Sequence, residues 1–172
     1  TIDSFYQAIN NGFGSIETDL RILNGEVVLS HDSVIDSQDY ATLEELLQFS
    51  ANNQVRLWLE IKDPRVIEPT VELLRYYQIT DVVIASFNLE DLTNVSHLAP
   101  EFETGLIMGS FPKGFQHSVG YDWVILSKNA IKANYHSIKD YKIATWTIRH
   151  QRQYNRIKGY VDAVISDIPL VD

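Results

Sequence analysis

Short apolar runs of strand length alternate with segments of helical period along almost the whole chain, an order that few architectures accept. Residues 4–9 carry apolar side chains at helical spacing, with Asp3 as the expected cap and Gly12 as the stop. Residues 15–21 and 26–31 then read as two strands around Asn24-Gly25, a dipeptide suited to a two-residue hairpin turn. Further strands are expected over 55–62, 81–87, 103–108, 121–127, 142–148 and 161–166. Helices fall between them, over 42–51, 66–77, 89–98, 130–140 and 151–158, and residues 109–120 read as a loop. The first of these helices opens on Thr42-Leu43-Glu44-Glu45, a capping box. Parallel strands covered by helices on one face and packed on the other read as continuous apolar runs, as Val82-Val83-Ile84-Ala85 does. Seven strands are of the barrel type, and a closed (β/α)8 barrel needs eight. The expected fold is therefore α/β: one TIM-barrel domain over residues 1–172, its first strand missing ahead of Thr1. An open dinucleotide-binding sheet lacks support, because no Gly-x-Gly-x-x-Gly follows the first strand.

Composition narrows what such a barrel does. Hydrophobic residues make up 45% of the 172, enough for a packed core, and the absence of cysteine removes disulfides, zinc–thiolate sites and thiol catalysis. Lys+Arg number 14 against 23 Asp+Glu with no basic run, which argues against nucleic acid as a partner. No apolar stretch approaches the roughly 20 residues of a membrane span. The expectation is a soluble protein, the cytoplasm ahead of the periplasm or secretion, acting on a small molecule.

In a barrel the C-terminal ends of the strands face the active site, and here those ends are polar. Glu17 and Asp19 are two apart and so share a face of their strand; Glu60 and Lys62 repeat the arrangement. His31 ends the hairpin arm, Ser86 another strand, Trp146 lies near the end of a third, and Asp167 follows the last. Each alone has an ordinary explanation: solvated strand carboxylates, an exposed ion pair, a surface histidine, a core tryptophan. Together, three carboxylates at strand ends repel unless something binds between them, and oxygen-only ligands suit a hard divalent cation, Mg²⁺ or Ca²⁺. A cation beside a lysine and a histidine suits an anionic phosphorus substrate, with Lys62 stabilising charge on phosphoryl oxygens and His31 moving protons.

The order of these residues is more specific than any one of them. Ile16-Glu17-Thr18-Asp19-Leu20, Asn24-Gly25 through His31-Asp32, Thr42 to Leu46, Leu59-Glu60-Ile61-Lys62, Ala85-Ser86-Phe87, Thr145-Trp146-Thr147 and Val164-Ile165-Ser166-Asp167-Ile168-Pro169 occur in sequence over nearly the whole chain. In this the sequence resembles the glycerophosphodiester phosphodiesterase family. The resemblance implies a (β/α)8 barrel and metal-dependent hydrolysis of a glycerophosphodiester to an alcohol and glycerol 3-phosphate, with the glycerol 2-hydroxyl attacking phosphorus and water opening a cyclic phosphate. It makes Glu17, Asp19 and Glu60 the ligands of one divalent cation, and His31 the second of two acid–base histidines. Lys62 becomes a substrate contact and Trp146 the aromatic near the glycerol, while Ser86, Phe87 and Asp167 match further substrate-side positions.

Three departures accompany it. The family's opening strand, ending in His-Arg-Gly, is absent, so the chain is expected to start in mid-motif, after the first catalytic histidine. Only residues 33–41 separate His31-Asp32 from the next helix, where many members carry a long insertion. Residues 105–120 match no family feature. The alternatives are a non-catalytic domain that binds a phosphodiester or a partner, and a phosphorus–oxygen lyase or phospholipase D-like relative acting on acylated substrates, for which Phe111, Pro112 and Phe115 would form an apolar mouth.

Overall fold

Seven parallel strands and one antiparallel arm form a single sheet in the structure, a computed structural model that describes residues 1–112 and 120–171. The chain runs α1 (Ile2–Asn10), β1 (Ser15–Leu23), β2 (Glu26–Leu29), α2 (Leu43–Asn53), β3 (Arg56–Ile61), α3 (Ile67–Tyr76), β4 (Val82–Ser86), α4 (Leu89–Leu98), β5 (Glu103–Met108), β6 (Trp123–Ser127), α5 (Ile131–Ile138), β7 (Lys142–Ile148), α6 (Gln151–Ile157) and β8 (Ala163–Ser166). The sheet order is β2-β1-β3-β4-β5-β6-β7-β8, so every parallel strand lies beside its successor, as a barrel wall requires. Among the described residues the wall does not close. β8 pairs only with β7, and β2 meets β1 only at its Leu20 to Leu23 end, leaving residues 15–18 without a strand on that side. Phe115 and His117 lie outside the described residues.

Local chemistry explains the element ends. Asn24 and Gly25 both have positive φ, 52° and 90°, which places the hairpin turn where the dipeptide predicts it. The Thr42 hydroxyl accepts from Glu45 N–H, and the Glu45 carboxylate accepts from Thr42 N–H, so the capping box starts α2. α1 starts two residues earlier than expected, at Ile2, with Asp3 inside its first turn instead of capping it.

Alternation then sorts the strand residues onto two faces. Outward side chains such as Leu57, Leu59, Ile84 and Leu126 are fully buried under the helices. Inward ones, Trp58, Val83, Ile107, Trp123 and Ile125, fill the concave side. Trp58 and Trp123 meet edge to face at 4.8 Å between ring centroids, worth about 0.5–1.5 kcal/mol beyond the area they bury. Gly105 makes room here: a Cβ on it would lie 2.7 Å from Ile125 Cδ1.

The two ends of the concave side differ. At the N-terminal ends of the strands, Glu103 accepts from Trp123 Nε1 at 2.9 Å and pairs with Arg56 and Lys142. Arg56 and Lys142 also lie over the Trp123 ring. Burial of Glu103 opposes ionisation, but the hydrogen bonds from Lys142, Trp123 and Arg56 win and hold its pKa at about 2. The carboxylates at the opposite end lack such an excess of cations.

Candidate active site

At the C-terminal ends of the strands, the parallel register sets Asp19 directly beside Glu60, and Glu17 one step lower, beside Trp58. All three acidic side chains therefore project inward. One carboxylate oxygen from each of Glu17, Asp19 and Glu60 lies within 4.8 Å of the others. Lys62 is the cation among them: its Nζ is 3.1 Å from Asp19 Oδ1 and also pairs with Glu60. It further sits 5.7 Å from the centre of the Phe87 ring.

One lysine does not balance three carboxylates. Glu17 reaches solvent through the cavity, yet desolvation first, then the charges of Asp19 and Glu60, push its pKa up to about 7 against the pull of Lys62 and His31. Burial raises Glu60 as well, partly offset by Lys62, and Asp19 adds to the rise. Lys62 is itself raised, because its contacts with Glu60 and Asp19 outweigh its burial penalty. Carboxylates converging at this spacing, held back from ionising together, are a donor set that fits a hard divalent cation.

These groups form one wall of a cavity of about 390 Å³, within the usual range for small-molecule sites. Its floor is apolar, from Trp58, Ile107, Ile125 and Ile165. Phe87 and Trp146, edge to face at 6.3 Å, contribute aromatic surface. His31 lines the mouth, its Nδ1 3.0 Å from Asp32 Oδ1, with 77% of its side chain exposed. Arg21 fixes that loop by donating from Nη2 to the His31 carbonyl at 3.0 Å.

Glu17, Asp19, His31, Glu60, Lys62, Phe87 and Trp146 are thus brought to one cavity. Ser86 and Asp167, the other two residues singled out in the sequence, do not line it. Ser86 falls on the opposite parity from Ala85 and Phe87, so it points outward under α4 and is 1% exposed. There it donates to Asp91 Oδ2 at 2.8 Å and accepts from Asn88 N–H, organising the start of α4. Asp167 instead accepts from Arg149 Nε at 3.0 Å.

Arg149, unremarked in the sequence, and Thr147, noted there only within Thr145-Trp146-Thr147, also line the cavity. Alternation from Trp146 would aim Ile148 inward. The β7–β8 register shifts between Thr145 and Ile148, however, and Ile148 is fully buried while Thr147 and Arg149 turn to the cavity. Lys128 secures this irregular stretch, its Nζ donating to the Thr147 carbonyl at 2.9 Å and its N–H to the Trp146 carbonyl.

A wall of parallel strands with a carboxylate cluster at their C-terminal ends defines a barrel-type architecture, with its acidic groups at the end where barrel enzymes carry their active sites. Its relatives by fold are specific. The structure of an Oleispira antarctica phosphodiesterase in complex with the product sn-glycerol-3-phosphate superposes with a TM-score of 0.87 at 20% identity, over 98% of this chain and 87% of that one. A glycerophosphodiester phosphodiesterase from Parabacteroides distasonis superposes with a TM-score of 0.83 at 18% identity, over 98% and 86%. The chain thus has the fold solved in glycerophosphodiester phosphodiesterases. No protein-family model matches the sequence, and no curated protein does. Among the described residues no helix is long and apolar enough to cross a membrane.

Proposed function

We propose that the chain is a member of the glycerophosphodiester phosphodiesterase family that hydrolyses a glycerophosphodiester to an alcohol and glycerol 3-phosphate with the help of one divalent cation. The observation that carries this reading is the convergence of Glu17, Asp19 and Glu60 around Lys62 on one wall of a cavity whose floor is apolar. Mg²⁺ or Ca²⁺ held by the three carboxylates would supply electrostatic stabilisation of the phosphoryl oxygens and orient the diester. Lys62, steered by Asp19, would donate a charge-assisted hydrogen bond to the phosphoryl group. His31, its Nδ1 anchored by Asp32, would present Nε2 for proton transfer at an alcohol oxygen. Trp146 and Phe87 would pack the glycerol carbons against an apolar surface. Asp167 would act through Arg149, and Ser86 through the placement of α4. The edges at residues 15–18 and at β8, unpaired among the described residues, are where the barrel strand implied by the family resemblance would pair.

The experiment is Glu60→Gln, assayed by release of glycerol 3-phosphate from a glycerophosphodiester with added Mg²⁺ or Ca²⁺. Hydrolysis should fall roughly 10³-fold and divalent-cation binding should be lost. Survival of both would defeat the cation-site assignment. A cyclic phosphate as the final product of the unaltered chain would move the reading to a phosphorus–oxygen lyase.

A further inference from the structure

Arg149 is the one fully cationic side chain lining the cavity, among the described residues, that is not committed to the carboxylate cluster. Its guanidinium is held in a particular way. The register shift in β7 aims the residue at the cavity, and Gln153 Oε1 fixes its main chain by accepting from its N–H at 2.8 Å. Asp167 takes only Nε; among the described residues Nη1 and Nη2 have no partner, and 68% of the side chain is exposed. This is a guanidinium oriented from behind with its fork left open, the geometry that receives a carboxylate or phosphate through two parallel hydrogen bonds.

Its position separates it from the phosphorus end of the cavity. The cluster and Lys62 belong to β1 and β3, whereas Arg149 leaves the end of β7. Four strand steps lie between β3 and β7, an arc of roughly 19 Å at about 4.8 Å per step, shortened across the concave face. A phosphoryl group bound at Lys62 would therefore extend an arm along the apolar floor to reach Arg149.

We propose that Arg149 is a specificity-determining residue that binds a second anionic group, a carboxylate in the simplest case, on the alcohol arm of the diester. The proposal rests on the phosphodiesterase reading above. It makes the preferred substrate a diester whose leaving alcohol is itself acidic, in contrast to one bearing only an amine or a quaternary ammonium. Asp167 is then a positioning residue, acting through Arg149.

Glycerophosphoserine and glycerophosphoethanolamine differ by a single carboxylate and make the test direct. Binding of each to the full chain and to Arg149→Gln is measured by calorimetry with Mg²⁺ or Ca²⁺ present, and turnover is followed in parallel. The unaltered chain should bind the serine diester about tenfold more tightly than the ethanolamine diester, and Arg149→Gln should erase that preference while leaving ethanolamine-diester binding within twofold. Equal affinities in the unaltered chain would overturn the proposal, as would an unchanged preference in Arg149→Gln or an equal loss for both diesters. An equal loss would mean that Arg149 binds the common phosphoryl group. Selective binding without turnover would leave the role of Arg149 standing and defeat the hydrolase reading alone.

Discussion

The concave side of the sheet carries acidic groups at both ends, and the two ends solve their electrostatics in opposite ways. At the N-terminal end a single carboxylate, Glu103, faces Arg56, Lys142 and the Trp123 N–H, and its pKa settles at about 2. At the C-terminal end three carboxylates share Lys62, and Glu17 rises to about 7. The first end is complete within the chain and ties four strands together. The second is left short of positive charge, which costs stability and which, under the proposed function, a bound cation would offset.

Exchanging one charge at each end breaks the comparison most sharply. Glu60→Gln should lower turnover roughly 10³-fold, as above, yet hold or raise the thermal midpoint of the cation-free protein, since it relieves crowding among carboxylates. Glu103→Gln should do the reverse. It leaves Arg56 and Lys142 without their shared negative charge and should cost about 2 kcal/mol, a fall of roughly 4–8 °C in the midpoint, with turnover within twofold. If Glu103→Gln lost activity at an unchanged midpoint, the two ends would not be separate in role.

The same pair differs in pH dependence. Glu103 is lowered on folding, so its contribution is present above pH 4.5, its unfolded value, and is lost as pH falls toward 2. Glu17 is raised, so its contribution is present below pH 4.5 and is lost as pH rises through about 7 in the cation-free protein.

A smaller effect separates Ser86 from the cavity. Ser86→Ala removes the donor to buried Asp91 and should cost about 1 kcal/mol in denaturant unfolding, leaving KM for the diester unchanged. A raised KM at unchanged stability would return Ser86 to the substrate.

Which features were legible follows from alternation. The i, i+2 spacing of Glu17–Asp19 and Glu60–Lys62 fixes a shared face from the sequence alone, and the parallel register only had to bring β1 beside β3. Ser86 ends its strand as the sequence suggests, but its parity, opposite to that of Ala85 and Phe87, turns it away from the cavity. Arg149 escaped notice because the register shift in β7 breaks the alternation, and nothing in Thr145-Trp146-Thr147-Ile148-Arg149 announces it. The Glu103 cluster draws on four strands distant in sequence, so no local pattern reveals it. Seven strands of the barrel type are countable in the sequence, whereas the half-length pairing of β2 on β1 emerges only from the register.

The measurement closest to the central claim is calorimetric titration of Mg²⁺ or Ca²⁺ into the full chain at pH 6 and pH 8. A cation seated on Glu17, Asp19 and Glu60 must displace the proton that Glu17 holds below about pH 7. The account predicts tighter binding at pH 8 than at pH 6, with protons released on binding near pH 7. Absence of binding at both pH values, or equal affinity with no proton released, would contradict it.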